Sequence, residues 1–246
     1  MELSKNKRKY IRSLQQKKYR QKYNKFVAEG DKIVSEILAA RHSVEFLVAT
    51  PEWLDNYTGP VPDTEIFTLP PEELHKASEL RSTQGVLAIA EMMPEPRLPG
   101  PNWTIYLDDI QDPGNAGTIL RIADWFGVSQ VVFSNHSADL YNAKVIQASM
   151  GAFLRVPVWR SSLAAFRQKT TGIPVYAADM EGTSVFDLAS PEPGILVIGN
   201  EGRGLTEEVN GQVDQVISIP RGPGGGAESL NAGVATGILI SQLIRL

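Results

Sequence analysis

Three short polar segments in the second half of the chain carry side chains that could act on a hydroxyl substrate. They are residues 115–121, residues 198–204, and residues 219–220 followed by 227–231. The last two each begin where an apolar run ends and the chain breaks into glycine. Parallel sheets present ligand-binding loops in this way, at the carboxyl ends of their strands. The segments therefore predict one site for a nucleotide-like cofactor and a hydroxyl substrate.

The first segment follows an Asp-Pro-Gly turn, which predicts a helix with Asn115 at or near its N-cap. Arg121 follows six residues later, about one and two-thirds helical turns away. Alone, these two residues could be a helix cap and a surface ion pair. Beside a substrate, Arg121 could instead stabilise a developing alkoxide or hold a phosphate. Its guanidinium stays protonated in nearly all proteins, which argues against a role as proton acceptor.

The second and third segments are rich in glycine, which lets a backbone approach a ligand closely. The plain alternative for the second is a turn with Glu201 and Arg203 in solvent. Residues 222–227 imitate the dinucleotide-binding fingerprint between a predicted strand and helix. Only nineteen residues follow Ala227, with no acidic residue at the expected distance. This spacing argues against a dinucleotide site and therefore against a nicotinamide-dependent enzyme.

Together and in this order, the segments resemble the three motifs of the SpoU (TrmH) family of RNA ribose 2′-O-methyltransferases. The first carries Asn-x-Gly-x-x-x-Arg with flanking Asp-Pro-Gly and Arg-Ile-Ala. The third carries Glu-Ser-Leu-Asn followed by Val-Ala-Thr, with departures at residues 232–233 and in the glycine run 222–226. The resemblance implies an enzyme that transfers a methyl group from S-adenosylmethionine to a ribose 2′-hydroxyl in ribosomal or transfer RNA.

The resemblance also implies a role for each matching residue. The implied catalytic residues are Asn115, Arg121, Glu201, Ser229 and Asn231. Arg121 is the base that is proposed for the family, and this role stays open beside that of a clamp for an alkoxide or a phosphate. The implied cofactor-binding residues are Ile198, Gly199, Asn200, Gly202, Ile219 and Leu230. Glu201 would orient Arg121 or the hydroxyl, and Ile219 and Leu230 would cradle the adenine. Ser229 could equally be the N-cap of the last helix, and the two roles are compatible.

Two other interpretations remain open beside the main one. The first is an RNA-binding protein of the same fold that has lost activity. The second is a methyltransferase of the same superfamily that acts on a base, a reaction with no obvious need for the Asn115 and Arg121 pair. Analysis of the product nucleoside separates these interpretations.

Alternating strands and helices must position the three segments. Strands are predicted at residues 104–107, 128–133, 175–178, 195–198 and 216–219, an extended segment at 153–158, and a last helix at 229–244. Such alternation predicts an α/β domain over residues 103–246, with a mostly parallel sheet covered on both faces. The resemblance adds a trefoil knot of the SPOUT type and a homodimer with the active site near its interface.

The first part of the chain predicts a smaller α/β domain over residues 26–93. Its first helix is predicted at residues 26–40, from the spacing of Ile33, Val34, Ile37 and Leu38. Four prolines within residues 94–102 predict a linker. The resemblance makes the small domain the RNA-binding, substrate-recognising part, with Phe-Val-Ala-Glu-Gly at 26–30 and Ser-Thr-Gln-Gly-Val at 82–86 as matching pieces.

Charge is distributed unevenly along the chain of 246 residues. Its net charge is −4, yet residues 1–25 hold ten of the 24 basic residues and one of the 28 acidic residues. Residues 1–25 are therefore at +9 and the remainder at −13. Dense positive charge interspersed with Tyr10, Tyr19 and Tyr23 predicts a basic arm that contacts RNA, although a solvated tail that aids solubility is the simpler interpretation.

Composition bounds the remaining possibilities. The chain has no cysteine, which excludes disulfides and thiolate zinc sites and is compatible with a reducing cytoplasm. Isolated histidines at 42 and 75 suggest surface or capping positions, so no metal site is expected. No apolar run approaches the roughly 20 residues of a membrane span, and the charged start of the chain does not resemble a signal peptide.

Overall fold

The computed structural model describes residues 3–78, 84–97, 99–100, 102–170 and 172–244. The chain divides into two compact units, Met1–Pro94 with Asp139–Leu154, and Glu95–Ala138 with Arg155–Leu246. Residues 139–154, predicted within the second domain, thus group with the first unit. Some predicted segments lie partly outside the described residues. These are two residues of the family-like piece at 82–86 and two residues of the predicted linker at 94–102.

The helices are α1 (Lys5–Ser13), α2 (Lys17–Tyr23), α3 (Asp31–Ala39), α4 (Pro51–Asn56), α5 (Pro71–His75), α6 (Pro113–Trp125), α7 (Ala143–Ser149), α8 (Leu163–Arg167), α9 (Glu207–Asn210) and α10 (Ala232–Ile244). The strands are β1 (Lys25–Glu29), β2 (Val44–Ala49), β3 (Glu65–Thr68), β4 (Val86–Glu91), β5 (Thr104–Leu107), β6 (Gln130–Phe133), β7 (Val158–Arg160), β8 (Val175–Ser184), β9 (Ile195–Ile198) and β10 (Gln215–Ser218).

The first unit is built on a four-stranded sheet in the order β1-β4-β2-β3. Strand β4 runs antiparallel to both of its neighbours, and β2 runs parallel to β3. The predicted helix at residues 26–40 is wrong over its first part, because residues 26–29 pair with β4 as a strand. Gly30 separates the strand from helix α3 with a φ of +92°, a conformation that glycine adopts without strain.

The basic segment at the start of the chain is packed into the first unit. Leu3, Ile11 and Leu14 are buried in the same apolar cluster as Phe46 and Leu87 of the sheet. Helix α1 therefore packs against the sheet through Ile11, and Leu3 and Leu14 anchor the chain just before and just after the helix. The charge pattern indicates an arm, but residues 3–24 are folded as part of this unit. Their contact with RNA stays a prediction.

Aromatic packing explains why residues 139–154 group with the first unit. The ring of Phe26 on β1 lies 4.9 Å from the ring of Tyr141 and 5.8 Å from that of Phe153, measured between centroids. Tyr141 also accepts a 2.6 Å hydrogen bond from the backbone N–H of Met93. The extended segment predicted at 153–158 is wrong at its start, where Ala152–Leu154 form a short 3₁₀ turn that brings Phe153 into this core.

The second unit contains a six-stranded sheet in the order β10-β8-β9-β5-β6-β7. Every pairing in it is parallel, and all four residues of β5, β6 and β9 are buried. This confirms the predicted α/β sheet, whose central strands are buried because helices cover both faces. Their two buried polar side chains, Thr104 and Gln130, bind each other at 2.7 Å. The trefoil knot implied by the resemblance stays a prediction. No described helix has the length and apolar character to cross a membrane.

Candidate functional site

A cavity of about 300 Å³ lies in the second unit, where β9 and β10 end, beside the middle of β8. It is the position at which a parallel sheet offers its loops to a ligand. The predicted cofactor-binding residues that line it are Ile198, Gly199, Asn200, Gly202, Ile219 and Leu230. Glu201 and Ser229, predicted as catalytic, line it as well. The structure thus brings the second and third polar segments to one cavity.

Several lining residues were missed in the sequence analysis. Strand β8 contributes Ala178, Asp179 and Met180, and helix α10 contributes Ala235 and Leu239. The strand was predicted to end at residue 178, because the sequence turns polar there, although it continues to Ser184. No motif marks these positions. Only the order of strands in the sheet, with β8 between β10 and β9, shows that they reach the cavity.

The loop after β9 is a tight turn held by its own backbone. Asn200 and Gly204 exchange two backbone hydrogen bonds of 3.0 and 2.8 Å. The Asn200 side-chain oxygen accepts from the backbone N–H groups of Gly202 and Arg203 at 3.0 and 3.1 Å. A Cβ at Gly199 would lie 2.8 Å from the backbone of Gly204. The turn itself therefore requires glycine at position 199, whatever ligand lies beside it.

Two consecutive acidic residues after β5 bind residues of this loop and fix its position. The buried carboxylate of Asp108 accepts hydrogen bonds from the backbone N–H and the hydroxyl of Thr206, at 2.7 and 3.2 Å. Asp109 pairs with Arg203 at 2.7 Å, and its carbonyl accepts from the Asn200 side chain at 3.0 Å. Burial raises the pKa of the Asp108 carboxyl above its ordinary value, partly opposed by the hydrogen bonds from Thr206. The two residues anchor both ends of the loop.

A network of polar side chains joins the three segments. The Asn115 amide nitrogen donates to the Glu201 carboxylate. The Asn115 side-chain oxygen accepts from the Asn231 amide at 2.7 Å. The Asn231 oxygen in turn accepts from the backbone N–H groups of Gly233 and Val234, at the start of α10. Both ends of the Asn115 amide are thus fixed, between an acid on one loop and an amide that caps a helix.

The helix caps differ from those predicted. Helix α6 begins at Pro113, so its N-cap is Asp112, whose carboxylate accepts from the backbone N–H of Asn115 at 2.8 Å. The Asn115 side chain is thereby left for the network. Helix α10 begins at Ala232 rather than at residue 229, and Asn231 supplies the capping oxygen that was expected of Ser229. Proline at the first helical position favours the earlier start of α6.

Arg121 stands apart from this network. It is exposed on α6 and makes no hydrogen bond or ion pair with the residues that the structure describes. The expectation that Glu201 orients Arg121 has no contact to support it, since the observed partner of Glu201 is Asn115. Ser229, exposed at the cavity, likewise has no hydrogen bond within the described ranges. Those ranges contain no cluster of three or more His, Asp or Glu side chains placed to hold a metal ion.

The fold and the site together define an α/β enzyme with a pocket for a nucleotide-type cofactor and an amide–carboxylate network beside it. Residues 102–241 match the model of the SpoU rRNA Methylase family. Residues 5–88 match the model of the MRM3-like substrate binding domain. The chain belongs to the SpoU family, which confirms the resemblance of its three motifs.

Individual relatives resemble the chain over nearly its whole length. The 23S rRNA (guanosine(2553)-2′-O)-methyltransferase RlmP of Bacillus subtilis (strain 168) is 31% identical over 238 residues, 94% of this chain and 93% of the relative. The solved structure of a putative RNA methyltransferase of the TrmH family from Porphyromonas gingivalis is 40% identical, with a TM-score of 0.88 and coverage of 100% and 99% of the two chains. AviRb from Streptomyces viridochromogenes, a SpoU methyltransferase solved in complex with AdoMet, is 26% identical, with a TM-score of 0.81 and 97% of each chain covered.

Proposed function

We propose that this protein transfers a methyl group from S-adenosylmethionine to a ribose 2′-hydroxyl of structured RNA, in ribosomal or transfer RNA. The observation that carries the proposal is the Asn115–Glu201–Asn231 network beside the cavity at the strand ends. Family membership and a relative named as a ribose 2′-O-methyltransferase, aligned over nearly the whole chain, support the same reaction.

The cavity suits the cofactor in size and chemistry. Its volume of about 300 Å³ falls at the lower end of the range for small-molecule pockets. Apolar side chains of Ile217, Ile219 and Leu239 offer a surface for an adenine ring. The loop after β9 supplies backbone groups close to the cavity, because Gly199 and Gly202 carry no side chain there. Bound S-adenosylmethionine supplies a methyl group on a sulfonium, whose thioether leaves without needing a proton.

The network positions the nucleophile. Methyl transfer requires the ribose oxygen in line with the methyl carbon, so placement contributes more than acid catalysis. One oxygen of Glu201 is occupied by Asn115. The other can accept the hydrogen bond of a ribose hydroxyl and then the proton that this hydroxyl loses as its oxygen takes the methyl group. Because Asn115, itself fixed by Asn231, holds this carboxylate in one orientation, the hydroxyl that the carboxylate binds is held in one direction as well. Glu201, Asn115 and Asn231 therefore orient the attacking oxygen.

Arg121 and Ser229 complete the proposed site. Arg121 carries no acidic partner within the described residues, so its charge is available to a substrate alkoxide or phosphate. Ser229, exposed at the cavity, offers a hydroxyl to the same region. Neither residue packs the fold, which is why both suit contact with the RNA rather than with the protein.

We infer that the enzyme is a homodimer in the cytoplasm. Helices α6 and α10 pack together, with Gly233 and Gly237 of α10 facing Thr118 and Ile122 of α6. Beside this contact Trp125 is 82% exposed, and Arg121 lies one helical turn from Trp125 on the same face. An interface that covers Trp125 would bring a second copy close to Arg121.

The decisive experiment measures transfer of the methyl group of labelled S-adenosylmethionine into unmodified ribosomal and transfer RNA, followed by nucleoside analysis. A 2′-O-methylnucleoside is the expected product. A methylated base would assign the activity to the base-methylating alternative. Cofactor binding without methyl transfer to either RNA would contradict the proposed substrates. Absence of both cofactor binding and methyl transfer would leave only an RNA-binding protein of this fold.

A further inference from the structure

The ten basic residues near the start of the chain fall into two structurally different sets. One set is already engaged by acids or carbonyls of the first unit. These pairs are Lys7 with Glu65, Arg8 with Glu73, Arg12 with the carbonyl of Lys76, Arg20 with Asp139, and Lys25 with Glu91. The charge of this set stabilises the fold and is less available to a ligand. Charge density along the sequence therefore overstates the surface offered to RNA.

Arg20 is the clearest structural member of the engaged set. It is only 5% exposed and donates to the carbonyls of Leu14 and Gln15 at 2.9 and 2.6 Å. Its guanidinium also donates twice to the Asp139 carboxylate, at 3.2 and 2.5 Å. Five donors on a planar group suit this kind of convergent anchoring. Arg20 thus fixes helix α2 on the first unit with one face turned outward.

The other set includes the lysines of that outward face. Lys17, Lys18 and Lys22 are exposed and form no ion pair among the described residues. Tyr19 follows Lys18 and Tyr23 follows Lys22, and their rings are nearly parallel, with centroids 6.3 Å apart and 13° between their planes. The Lys22 ammonium lies 5.3 Å from the Tyr23 ring centre. Tyr23 is 40% exposed, and the Tyr10 ring meets it edge-on, with centroids 5.1 Å apart.

We propose that this face of α2, defined by Lys17, Lys18, Tyr19, Lys22 and Tyr23, binds an unpaired strand of the RNA substrate. The three lysines neutralise phosphates, and an unpaired base stacks on the exposed Tyr23 ring. Cationic grooves combined with aromatic platforms are typical of single-strand binding. The surrounding chain is strongly acidic overall, so it disfavours RNA over most of the surface. This inference names a contact within the proposed function and rests on it.

The lysines are tested with a charge-matched pair of triple variants of the full chain. One variant is Lys17→Gln, Lys18→Gln and Lys22→Gln, and the control is Lys7→Gln, Arg8→Gln and Lys25→Gln. Binding of unmodified ribosomal RNA is measured against salt concentration. Each single-strand phosphate that the protein neutralises adds about 0.7 to the slope of log K against log salt, so the slope of the α2 variant should fall by about 2. The control should keep the wild-type slope.

The kinetic readout separates this proposal from the proposed function. The α2 variant should raise KM for RNA and leave turnover at saturating RNA unchanged, because the lysines lie outside the network that orients the ribose. An equal reduction of the slope in both variants would overturn the proposal, since diffuse charge alone would then explain binding. Absence of methyl transfer by the wild-type protein would contradict the proposed function, while the salt slopes would still decide the α2 surface.

Stacking is tested with Tyr23→Leu beside Tyr23→Phe. Binding is measured to a single-stranded oligoribonucleotide and to an RNA duplex. Removal of one stacked base weakens affinity by about tenfold, so Tyr23→Leu should weaken single-strand binding to that extent and leave duplex binding unaltered. Tyr23→Phe keeps the ring and should bind as the wild type does. Equal weakening of both RNA forms by Tyr23→Leu would overturn the stacking contact.

Discussion

Asn115 is held more tightly than any single helix cap requires. Its backbone N–H donates to Asp112, its amide nitrogen binds Glu201 and its amide oxygen binds Asn231. Asp112, not Asn115, caps the helix. The Asn115 side chain can therefore orient Glu201 without leaving the helix end uncapped. The residue thus connects three polar segments, of which the first and the last lie more than a hundred positions apart in the sequence.

We expect Asn115→Ala to lower turnover on the order of a hundredfold and to leave cofactor affinity nearly unchanged, because one preorganised group at a reacting centre contributes about this much. Turnover comes from methyl-transfer kinetics and cofactor affinity from calorimetric titration. Equal losses in turnover and affinity would assign Asn115 a purely structural role.

We expect Arg121→Ala to reduce turnover by about a hundredfold with the fold and cofactor affinity intact, since Arg121 has no partner in the described part of the chain. Arg155→Ala is the matched control. It also removes a cation, but one that pairs with Asp124, which lies on the same helix as Arg121. Arg155→Ala should retain turnover. Near-normal turnover in Arg121→Ala would exclude both proposed roles of that arginine.

The resemblance of the motifs pointed to the residues of the network, but nothing in the sequence showed the bonds between them, and their catalytic roles stay predictions. With 3.6 residues per turn, Arg121 lies about 240° around the helix from Asn115, so their divergence could have been read from the sequence. The cap by Asp112 is harder to predict from the sequence. Asp112 and Asn115 are both good capping residues, and only the start of α6 at Pro113 decides between them.

At the scale of elements, the loop between β9 and α9 depends on residues at the end of β5. Asp108 holds Thr206 at one end of the loop, and Asp109 holds Asn200 and Arg203 nearer its tip. These acids lie about ninety positions earlier in the sequence, so no local pattern could have linked them to the loop. The apolar runs of β5 and β9 could be recognised, whereas their adjacency comes from the sheet order.

We expect Asp108→Ala to weaken cofactor binding by about tenfold, because it removes a charged acceptor and leaves the Thr206 N–H without its partner. Thr206→Ser keeps both hydrogen bonds and should bind the cofactor as the wild type does. Affinity is measured by titration with S-adenosylmethionine. If Asp108→Ala bound normally, the loop would be positioned by its own backbone bonds alone.

The Asp108 carboxyl also makes stability depend on pH. Burial raises its pKa in the folded protein above the ordinary value of 3.8. Its favourable contribution is therefore complete below 3.8 and is lost as pH rises through the folded-state pKa. Asp108→Asn stays neutral and lacks this loss. The free energy of unfolding of the wild type and of Asp108→Asn is measured by urea unfolding from acidic to neutral pH. As pH rises, the variant should gain stability relative to the wild type. A difference between the two proteins that does not change with pH would contradict the raised pKa.

At the scale of the whole molecule, the exposed Trp125 and Val234 on α6 and α10 have no cover within the described residues. We expect Trp125→Glu to convert the proposed dimer into a monomer, because a charge replaces the largest apolar contact of that face. Sedimentation equilibrium measures the mass. Val61→Glu, an exposed apolar position in the first unit, is the control and should leave the dimer intact. A monomeric wild-type protein would contradict the dimer directly.

The division of the chain into units was only partly predictable. Four prolines indicate a boundary near residue 94, and the first unit reaches Pro94. The return of residues 139–154 to that unit has no sequence signal, because α7 is a short amphipathic helix like many that cover a parallel sheet. Its membership is decided by Phe26, whose ring meets Tyr141 and Phe153.

This return of the chain has a consequence for the order in which the protein is made. The ribosome releases residues from the N-terminus, so Phe26 emerges more than a hundred residues before Tyr141 and Phe153. Until then, Phe26 lacks the rings of Tyr141 and Phe153, and Arg20 has no Asp139 to bind. The unit that comes first in the sequence is consequently finished only after β5, α6 and β6 have been synthesised, and a fragment ending at Pro94 would expose an apolar surface that favours aggregation.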